Sequence, residues 1–139
     1  MKKAKFVTVE VIEARNIPKL DLIGKVDPYC IVQIGKIKSK TRHINSTFNP
    51  QWKHTFKFKI EEKDLIDPDE INIEVSMYDR NIIFQDEFIG KIHKVMDLFP
   101  EEFEDWIEIT SESHSIRKQL EQAAAQGQKC EIHLKVSKT

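Results

Sequence analysis

Strict alternation of apolar and polar residues in several short segments is the feature that most restricts the fold of this chain. Val7, Val9 and Val11 share one side of segment 6–14, and the same two-residue period returns in 130–136. Successive side chains of a β-strand point to opposite faces, so this period predicts strands with one buried face. Further strands are expected at 29–34, 52–60, 71–78, 88–92 and 106–109. Seven or eight short strands, separated by turn residues, predict an antiparallel β-sandwich.

Two connections between the strands carry predictions of their own. Gly35 ends the second strand, and the lysine-rich segment 36–44 that follows is expected to form a basic hairpin arm. Asn49 and Pro50 form the next turn signal. The segment 95–103 lacks a clear period and is expected to be an irregular or single-turn connection.

One segment has the composition of a helix. Residues 113–125 contain mostly good helix formers, with Ser113 or Ser115 as the expected N-cap and Gly127 as the expected stop. The sequence therefore predicts an all-β fold with one short helix before the last strand, 130–136.

The composition limits the kinds of partner. At 139 residues, with 40% hydrophobic and 32% charged residues, the chain is expected to be a single domain, 1–139. Its net charge of -1 argues against a general polyanion binder, so no nucleic-acid partner is expected. No apolar run reaches the ~18 residues that a spanning helix needs, and the apolar region typical of a signal peptide does not follow the basic residues 1–5. Contact with a bilayer would therefore be peripheral.

Enzymatic and redox chemistry have little support in the sequence. The five histidines are scattered, and no nucleophile elbow, zinc spacing or phosphate loop accompanies them, so the chain is not expected to be an enzyme. Cys30 and Cys130 each lie in an apolar strand pattern. They are expected to be reduced core thiols, which suits a cytoplasmic protein.

The segment 79–90 combines two features that rarely share a loop. Carboxylates stand at both of its ends, while Ile82, Ile83 and Phe84 lie in its middle. Like charges ~4 Å apart repel by about 1 kcal/mol in water and by more near protein. Leaving a large apolar side chain in water costs about 1.5–3 kcal/mol relative to burial. A calcium ion would relieve the repulsion, and a bilayer would take up the apolar residues.

A second loop offers acids that can meet the first. Loops of a sandwich cluster at its two ends, so Asp21 and Asp27 can approach Asp79 and Glu87. Calcium takes six to eight oxygen ligands, which such a set can largely supply. Two simpler interpretations stay open, since Asp27 before a proline favours a turn and Asp79 can close a strand. The twelve-residue ligand loop of an EF-hand, with its central glycine, is absent.

Several ordered motifs resemble those of the C2 domain family. Asp-Leu-Ile-Gly-Lys-Val-Asp-Pro-Tyr at 21–29 resembles the family's first calcium loop, and Asn-Pro-Gln-Trp at 49–52 resembles its Asn-Pro-x-Trp signature. Tyr-Asp at 78–79 and Asp-Glu-Phe-Ile-Gly at 86–90 resemble its third loop and the strand after it. The resemblance covers about 6–136. It implies eight antiparallel strands in two sheets, with the phospholipase-like topology in which the extra strand is C-terminal.

The resemblance also implies one or two calcium ions and a set of ligands. By position these are Leu20, Asp21, Asp27, Asp79, Arg80, Asn81 and Glu87, with Leu20 and Arg80 contributing backbone oxygens. The family commonly has aspartate at all five side-chain positions. Asn81 removes one charge and Glu87 lengthens one arm, while both still offer oxygens, so binding is expected to be weakened rather than lost. Asp86, in the same loop, is a candidate replacement ligand.

Two sets of residues are expected to meet lipid. The membrane-inserting set is Leu22, Ile23, Ile82, Ile83 and Phe84, with packing of loop against loop as the alternative. The headgroup set is basic and comprises Lys38, Lys40, Arg42 and Lys53. Within the family a lysine-rich cluster binds phosphoinositide, and Lys40 and Arg42 match it. The matching positions on the preceding strand, Ile31 and Gln33, are not basic, so a solvated strand face remains the alternative.

The residues and the resemblance together predict calcium-dependent, peripheral binding to anionic phospholipid membranes by a cytoplasmic targeting module. The alternative is a C2 domain with a vestigial calcium site that binds phosphoinositide or a protein partner without calcium.

Overall fold

Eight β-strands and one α-helix form the described part of the chain. A computed structural model describes residues 2–20 and 24–139. The strands are β1 (Phe6–Arg15), β2 (Pro28–Ile34), β3 (Ile37–Lys40), β4 (Gln51–Lys59), β5 (Glu70–Asp79), β6 (Glu87–Asp97), β7 (Glu102–Glu108) and β8 (Glu131–Lys138). The helix α1 is His114–Ala125, and a short 3-10 helix spans Glu62–Asp64. No helix within 2–20 and 24–139 is both long and apolar enough to cross a bilayer.

The strands form two four-stranded sheets. The first has the order β4-β1-β8-β7 and the second has the order β3-β2-β5-β6. All neighbouring strands are antiparallel. The C-terminal strand β8 lies between β1 and β7, as expected for the phospholipase-like topology. The predicted antiparallel sandwich is therefore confirmed.

The core lies between the two sheets and follows the alternation of the sequence. Val7, Val9 and Val11 of β1 are fully buried, and so are Ile132 and Leu134 of β8. Apolar burial is worth about 25 cal/mol per Å², so these inward-facing rows are the main source of stability. Both cysteines are free and buried, and burial raises the pKa of the Cys130 thiol to about 12.

The prediction for one connection is wrong. The segment 95–103 is not an irregular link, because β6 continues to Asp97 and β7 begins at Glu102. Pairing with neighbours extends both strands, since Asp97 lies opposite Glu70 and Glu102 lies opposite Ser137. The expected basic hairpin arm is also shorter than 36–44, because only Ile37–Lys40 forms a strand.

The helix agrees with the sequence prediction. Ser113 is its N-cap residue, although its side chain makes no capping hydrogen bond. Gly127 follows the last turn with a φ of 77°, a conformation that favours glycine and ends helices.

Candidate functional site

Three strand connections and α1 gather at one end of the sandwich, here called the loop end. They are the β1–β2, β3–β4 and β5–β6 loops and the connection that carries α1. The opposite end, here called the far end, carries the β2–β3 turn, the β4–β5 and β6–β7 connections and the end of β8. Antiparallel strands of similar length return the chain to the same end every second connection, which brings sequence-distant loops together.

Three carboxylates lie on adjacent strand ends at the loop end. Asp79 pairs with Pro28 of β2 on one side and with Glu87 of β6 on the other. The Oδ1 atom of Asp79 accepts a hydrogen bond of 2.9 Å from the backbone amide of Asp27. The Oδ1 atom of Asp27 accepts one of 2.6 Å from the amide of Ser46. The register of the second sheet thus places Asp27, Asp79 and Glu87 side by side.

The Asn-Pro-x-Trp segment holds this corner in place. Trp52 is fully buried, and its Nε1 donates a hydrogen bond of 3.0 Å to the carbonyl of Pro28, directly after Asp27. The Oδ1 atom of Asn49 accepts one of 2.9 Å from the amide of Asn16, which has a φ of 59°. These bonds join the β1–β2 and β3–β4 loops and the starts of β2 and β4, so the motif fixes the start of β2, directly after Asp27.

The oxygen atoms at this corner are of the type that binds calcium, although the described side chains do not surround a single point. Hard oxygens of carboxylates and carbonyls are what calcium prefers. Within residues 2–20 and 24–139, no three histidine, cysteine or acidic side chains are close enough to hold a metal ion. Three predicted residues, Asp21, Leu22 and Ile23, lie outside the described residues. Leu20 packs partly buried against the core.

Asn81 closes the β5–β6 loop on itself. Its Oδ1 atom accepts hydrogen bonds of 3.1 Å from the amides of both Ile83 and Phe84. This arrangement is a turn in which an asparagine side chain replaces a backbone carbonyl. To serve as a calcium ligand, the Asn81 oxygen would have to leave or share these two amides.

The middle of that loop is a bare apolar tip. Ile82, Ile83 and Phe84 are 86%, 82% and 75% exposed. Such exposure excludes packing against the described loops, which was the alternative explanation for their apolar character. Three adjacent large apolar residues in solvent are typical of a surface that meets a partner or a membrane.

A pocket of about 290 Å³ lies beside this loop, on the outer face of the second sheet. This basic pocket is lined by Tyr29, Lys40, Thr41, Arg42, His43, Arg80 and Asp86. Arg42 donates a hydrogen bond of 2.7 Å to the carbonyl of Trp52. Arg80 donates one of 2.9 Å to Nε2 of His43, which must accept because a guanidinium group can only donate.

Asp86 is the acid that faces the cations of the basic pocket. Its Oδ2 atom accepts a hydrogen bond of 2.5 Å from the hydroxyl of Tyr29, and its Oδ1 atom accepts one of 2.9 Å from the amide of Asn81. The Asn81 amide, then the Tyr29 hydroxyl, and then the nearby Arg80 and Lys40 lower the pKa of Asp86. Burial, followed by the bond to Asp86, raises the pKa of Tyr29. Tyr29 is therefore the donor and Asp86 a carboxylate.

Only part of this pocket is predicted from the sequence. The predicted Lys40 and Arg42 line it, whereas the predicted Lys38 and Lys53 are exposed elsewhere, with Lys53 on β4 of the other sheet. Tyr29 is a pocket residue that the sequence reasoning misses. The alternation of β2 is the available signal, since its buried cysteine, valine and isoleucine face inward and Tyr29 must face outward.

Comparisons with known proteins identify relatives in sequence and in fold. The family model "C2 domain" matches residues 5–109. Synaptotagmin-5 of Arabidopsis thaliana is 36% identical over 104 residues, which is 72% of this chain and 18% of that protein. The chain spans 8–18% of the length of the curated relatives it matches.

Solved structures share the fold. A C2 domain of plant extended synaptotagmin 1 superposes with a TM-score of 0.70 and 20% identity, covering 100% of this chain and 97% of that one. The calcium-bound pair of C2 domains of extended synaptotagmin 2 gives 0.69 and 19%, covering 99% and 46%. At these identities the superpositions show the fold alone, while the family match covers most of the chain. The chain belongs to the C2 domain family.

Proposed function

We propose that the chain is a membrane-targeting module whose loop end binds anionic phospholipid when calcium is present. The observation that carries this proposal is the bare tip of the β5–β6 loop, where three large apolar residues are at least 75% exposed beside acidic strand ends. Full burial of each would be worth about 1.5–3 kcal/mol, and insertion into an interface recovers part of that.

The acidic strand ends explain why calcium would control the contact. The carboxylates of Asp27, Asp79 and Glu87 repel anionic headgroups, which opposes approach of the adjacent tip. Calcium, when bound, supplies positive charge that offsets them and a coordination position for lipid phosphate. A similar fold solved with calcium bound supports this choice of ion. The candidate ligands are these three side chains, Asp21, the amide oxygen of Asn81 and the backbone oxygens of Leu20 and Arg80.

We propose that residues 1–139 act as one module, located in the cytoplasm and recruited to a membrane surface, and that Leu22 and Ile23 insert together with the tip. A module of this size would raise the local concentration of attached domains at the bilayer. The longer relatives that contain a matching segment support such a role.

Sedimentation with vesicles tests the proposal. Phosphatidylserine-containing vesicles should pellet the chain with calcium and leave it in solution with chelator, and phosphatidylcholine vesicles should not pellet it in either condition. Equal pelleting with calcium and with chelator would contradict calcium control. No pelleting in any condition would contradict membrane binding and favour a protein partner.

A second candidate function is phosphoinositide binding in the basic pocket. Lys40, Arg42 and Arg80 gather there with the Tyr29 hydroxyl, and phosphate groups favour such charge-assisted donors. This contact needs no metal ion. Lys40→Ala should weaken binding to vesicles containing phosphatidylinositol 4,5-bisphosphate in chelator by about fivefold, since a cation near an anionic surface contributes about 1 kcal/mol. Lys63→Ala, a cation at the far end, should change it less than twofold.

A further inference from the structure

The basic pocket contains an anion that the chain itself supplies. The Asp86 carboxylate is held by the Tyr29 hydroxyl at 2.5 Å and stands near Lys40 and Arg80. The cations of the pocket lining are thus partly neutralised before any ligand arrives. An external phosphate would need the same donors, because the Tyr29 hydroxyl and these two cations are the groups that Asp86 already contacts or faces.

The same carboxylate also closes the apolar tip of the β5–β6 loop. Its second oxygen accepts the amide of Asn81, and the Asn81 side chain in turn accepts the amides of Ile83 and Phe84. A continuous chain of hydrogen bonds therefore runs from the Tyr29 hydroxyl through Asp86 and Asn81 to the exposed tip. Asp86 belongs both to the lining of the pocket and to the closure of the loop.

We propose that Asp86 is an internal counter-anion that competes with an external phosphate group for the basic pocket, and that their exchange is coupled to the tip of the β5–β6 loop. A phosphomonoester carries nearly two negative charges and three acceptor oxygens, so it cannot share the Tyr29 and Lys40 donors with a carboxylate without repulsion. Asp86 moves away when phosphate binds. It then releases the Asn81 amide, and the tip loses one of the bonds that close it.

Linkage makes this coupling reciprocal. If phosphate in the pocket loosens the loop tip, then insertion of the tip into a bilayer that draws Asp86 away must strengthen phosphate binding by the same factor. Pocket and tip would then respond together to a surface that offers both a phosphate headgroup and an apolar interior. Soluble phosphates would bind more weakly than such a surface, since they offer no apolar interior for the tip.

The inference rests on the second candidate function only in taking phosphate as the external anion, and the competition for the pocket needs no calcium. Inositol 1,4,5-trisphosphate titrated calorimetrically in chelator tests it. Asp86→Asn keeps the shape and an acceptor oxygen for Tyr29 but removes the charge, and should bind about three- to tenfold tighter than wild type. Asp86→Ser should act in the same direction. Glu62→Gln, the same change of net charge at the far end, should alter the affinity less than twofold.

Several outcomes would overturn the competition. Asp86→Asn binding as weakly as wild type, or more weakly, would mean that the carboxylate does not compete. A gain matched by Glu62→Gln would mean that only net charge matters. Absence of binding by all variants would remove the pocket as a phosphate site, while calcium-dependent pelleting with phosphatidylserine would remain a separate result.

The coupling has its own readout in amide NMR spectra. Inositol 1,4,5-trisphosphate should shift the Asn81, Ile83 and Phe84 amide resonances of wild type as well as that of Lys40. The shifts at the three tip residues should be much smaller in Asp86→Asn, because its one amide oxygen accepts from Tyr29 and its NH2 group cannot accept the Asn81 amide, which is therefore already released before phosphate binds. Shifts confined to the pocket in wild type would overturn the coupling.

Vesicles separate a lipid phosphate from a free one. With calcium present for both ligands, Asp86→Asn should raise the affinity for soluble inositol 1,4,5-trisphosphate more than the affinity for vesicles containing phosphatidylinositol 4,5-bisphosphate, because insertion of the tip, which calcium permits, already draws Asp86 away in wild type. An equal gain with both ligands would mean that the pocket responds to phosphate alone, and it would overturn the coupling to a bilayer.

Discussion

The two ends of the sandwich differ in how their charged side chains are paired and exposed. At the far end the side chain of Lys138 is fully buried, and its Nζ atom donates to the Asp97 carbonyl at 2.7 Å, to Asp97 Oδ1 at 3.0 Å and to Glu101 Oε1 at 3.2 Å. At the loop end one carboxylate, Asp86, faces several cations in an open pocket.

This contrast indicates where an outside partner can bind. The buried ammonium at the far end has three acceptors within the chain, so its contacts tie β8 to the β6–β7 connection and contribute to stability. The cations of the basic pocket exceed the acid that faces them and are open to solvent, so they can bind an outside anion. The carboxylates beside the apolar tip also lie at the loop end, where a membrane would approach.

The largest expected difference between the two ends is the effect of their exposed apolar residues on vesicle binding. Replacing Ile82, Ile83 and Phe84 together by serine should weaken calcium-dependent binding to phosphatidylserine vesicles about hundredfold, because each insertion contributes part of the roughly 1.5–3 kcal/mol of full burial. The unfolding midpoint should barely change, since these side chains are exposed. Ile66→Ser is the matched control, because Ile66 is 87% exposed but lies at the far end. Equal losses in both variants would remove the distinction between the ends.

A smaller effect is expected on stability when the buried lysine of the far end is replaced. Lys138→Ala should lower the free energy of unfolding by about 2 kcal/mol, because it removes a buried aliphatic stem and three hydrogen bonds that the ammonium donates. Urea unfolding measures this, and vesicle affinity should stay within about twofold of wild type. Lys138→Met restores the stem without the charge and should recover part of the loss. A vesicle affinity that falls with either variant would show that the far end also contributes to binding.

The acid response of the far end should be smaller still. The hydrogen bond from Lys138, and then that from the Phe99 amide, lower the pKa of Asp97 below its ordinary 3.8. A lowered pKa in the folded state gives stability that is complete above the ordinary value and is lost as pH falls through the folded value. The urea midpoint should therefore fall as the pH is lowered from about 5 to about 3 in wild type and fall less in Asp97→Asn. Glu62→Gln, an exposed acid at the same end, is the control, and an equal fall in Asp97→Asn and wild type would contradict the assignment.

Much of the fold can be predicted because burial follows the sequence period. The fully buried Val7, Val9 and Val11 occupy one side of β1, as their spacing requires. The failure at 95–103 has a physical reason as well. Residues 101–105 are mostly acidic and have weak strand preference, yet β7 forms because β8 offers a paired neighbour and Phe103 packs partly buried against the core.

The sequence predicts which segments form the candidate site but not the hydrogen bonds between their residues. The acids and apolar residues of 79–90 indicate one loop of the site, and the resemblance to the C2 domain family indicates the β1–β2 loop as a second. The hydrogen bond from Tyr29 to Asp86 joins residues 57 positions apart and depends on the β2–β5 register, so no local pattern reveals it. Nor can the sequence show that the Asn81 oxygen is engaged by its own loop.

Calcium control is tested most sharply by vesicle binding of Asp79→Asn beside wild type. Asparagine keeps an oxygen that can accept the Asp27 amide, so the fold and the unfolding midpoint should be preserved. Removing this one charge should abolish the increase in phosphatidylserine binding that calcium produces, while binding in chelator should rise only slightly because one repelling carboxylate is lost. A folded Asp79→Asn that still responds to calcium like wild type would contradict the proposed role of the acidic strand ends.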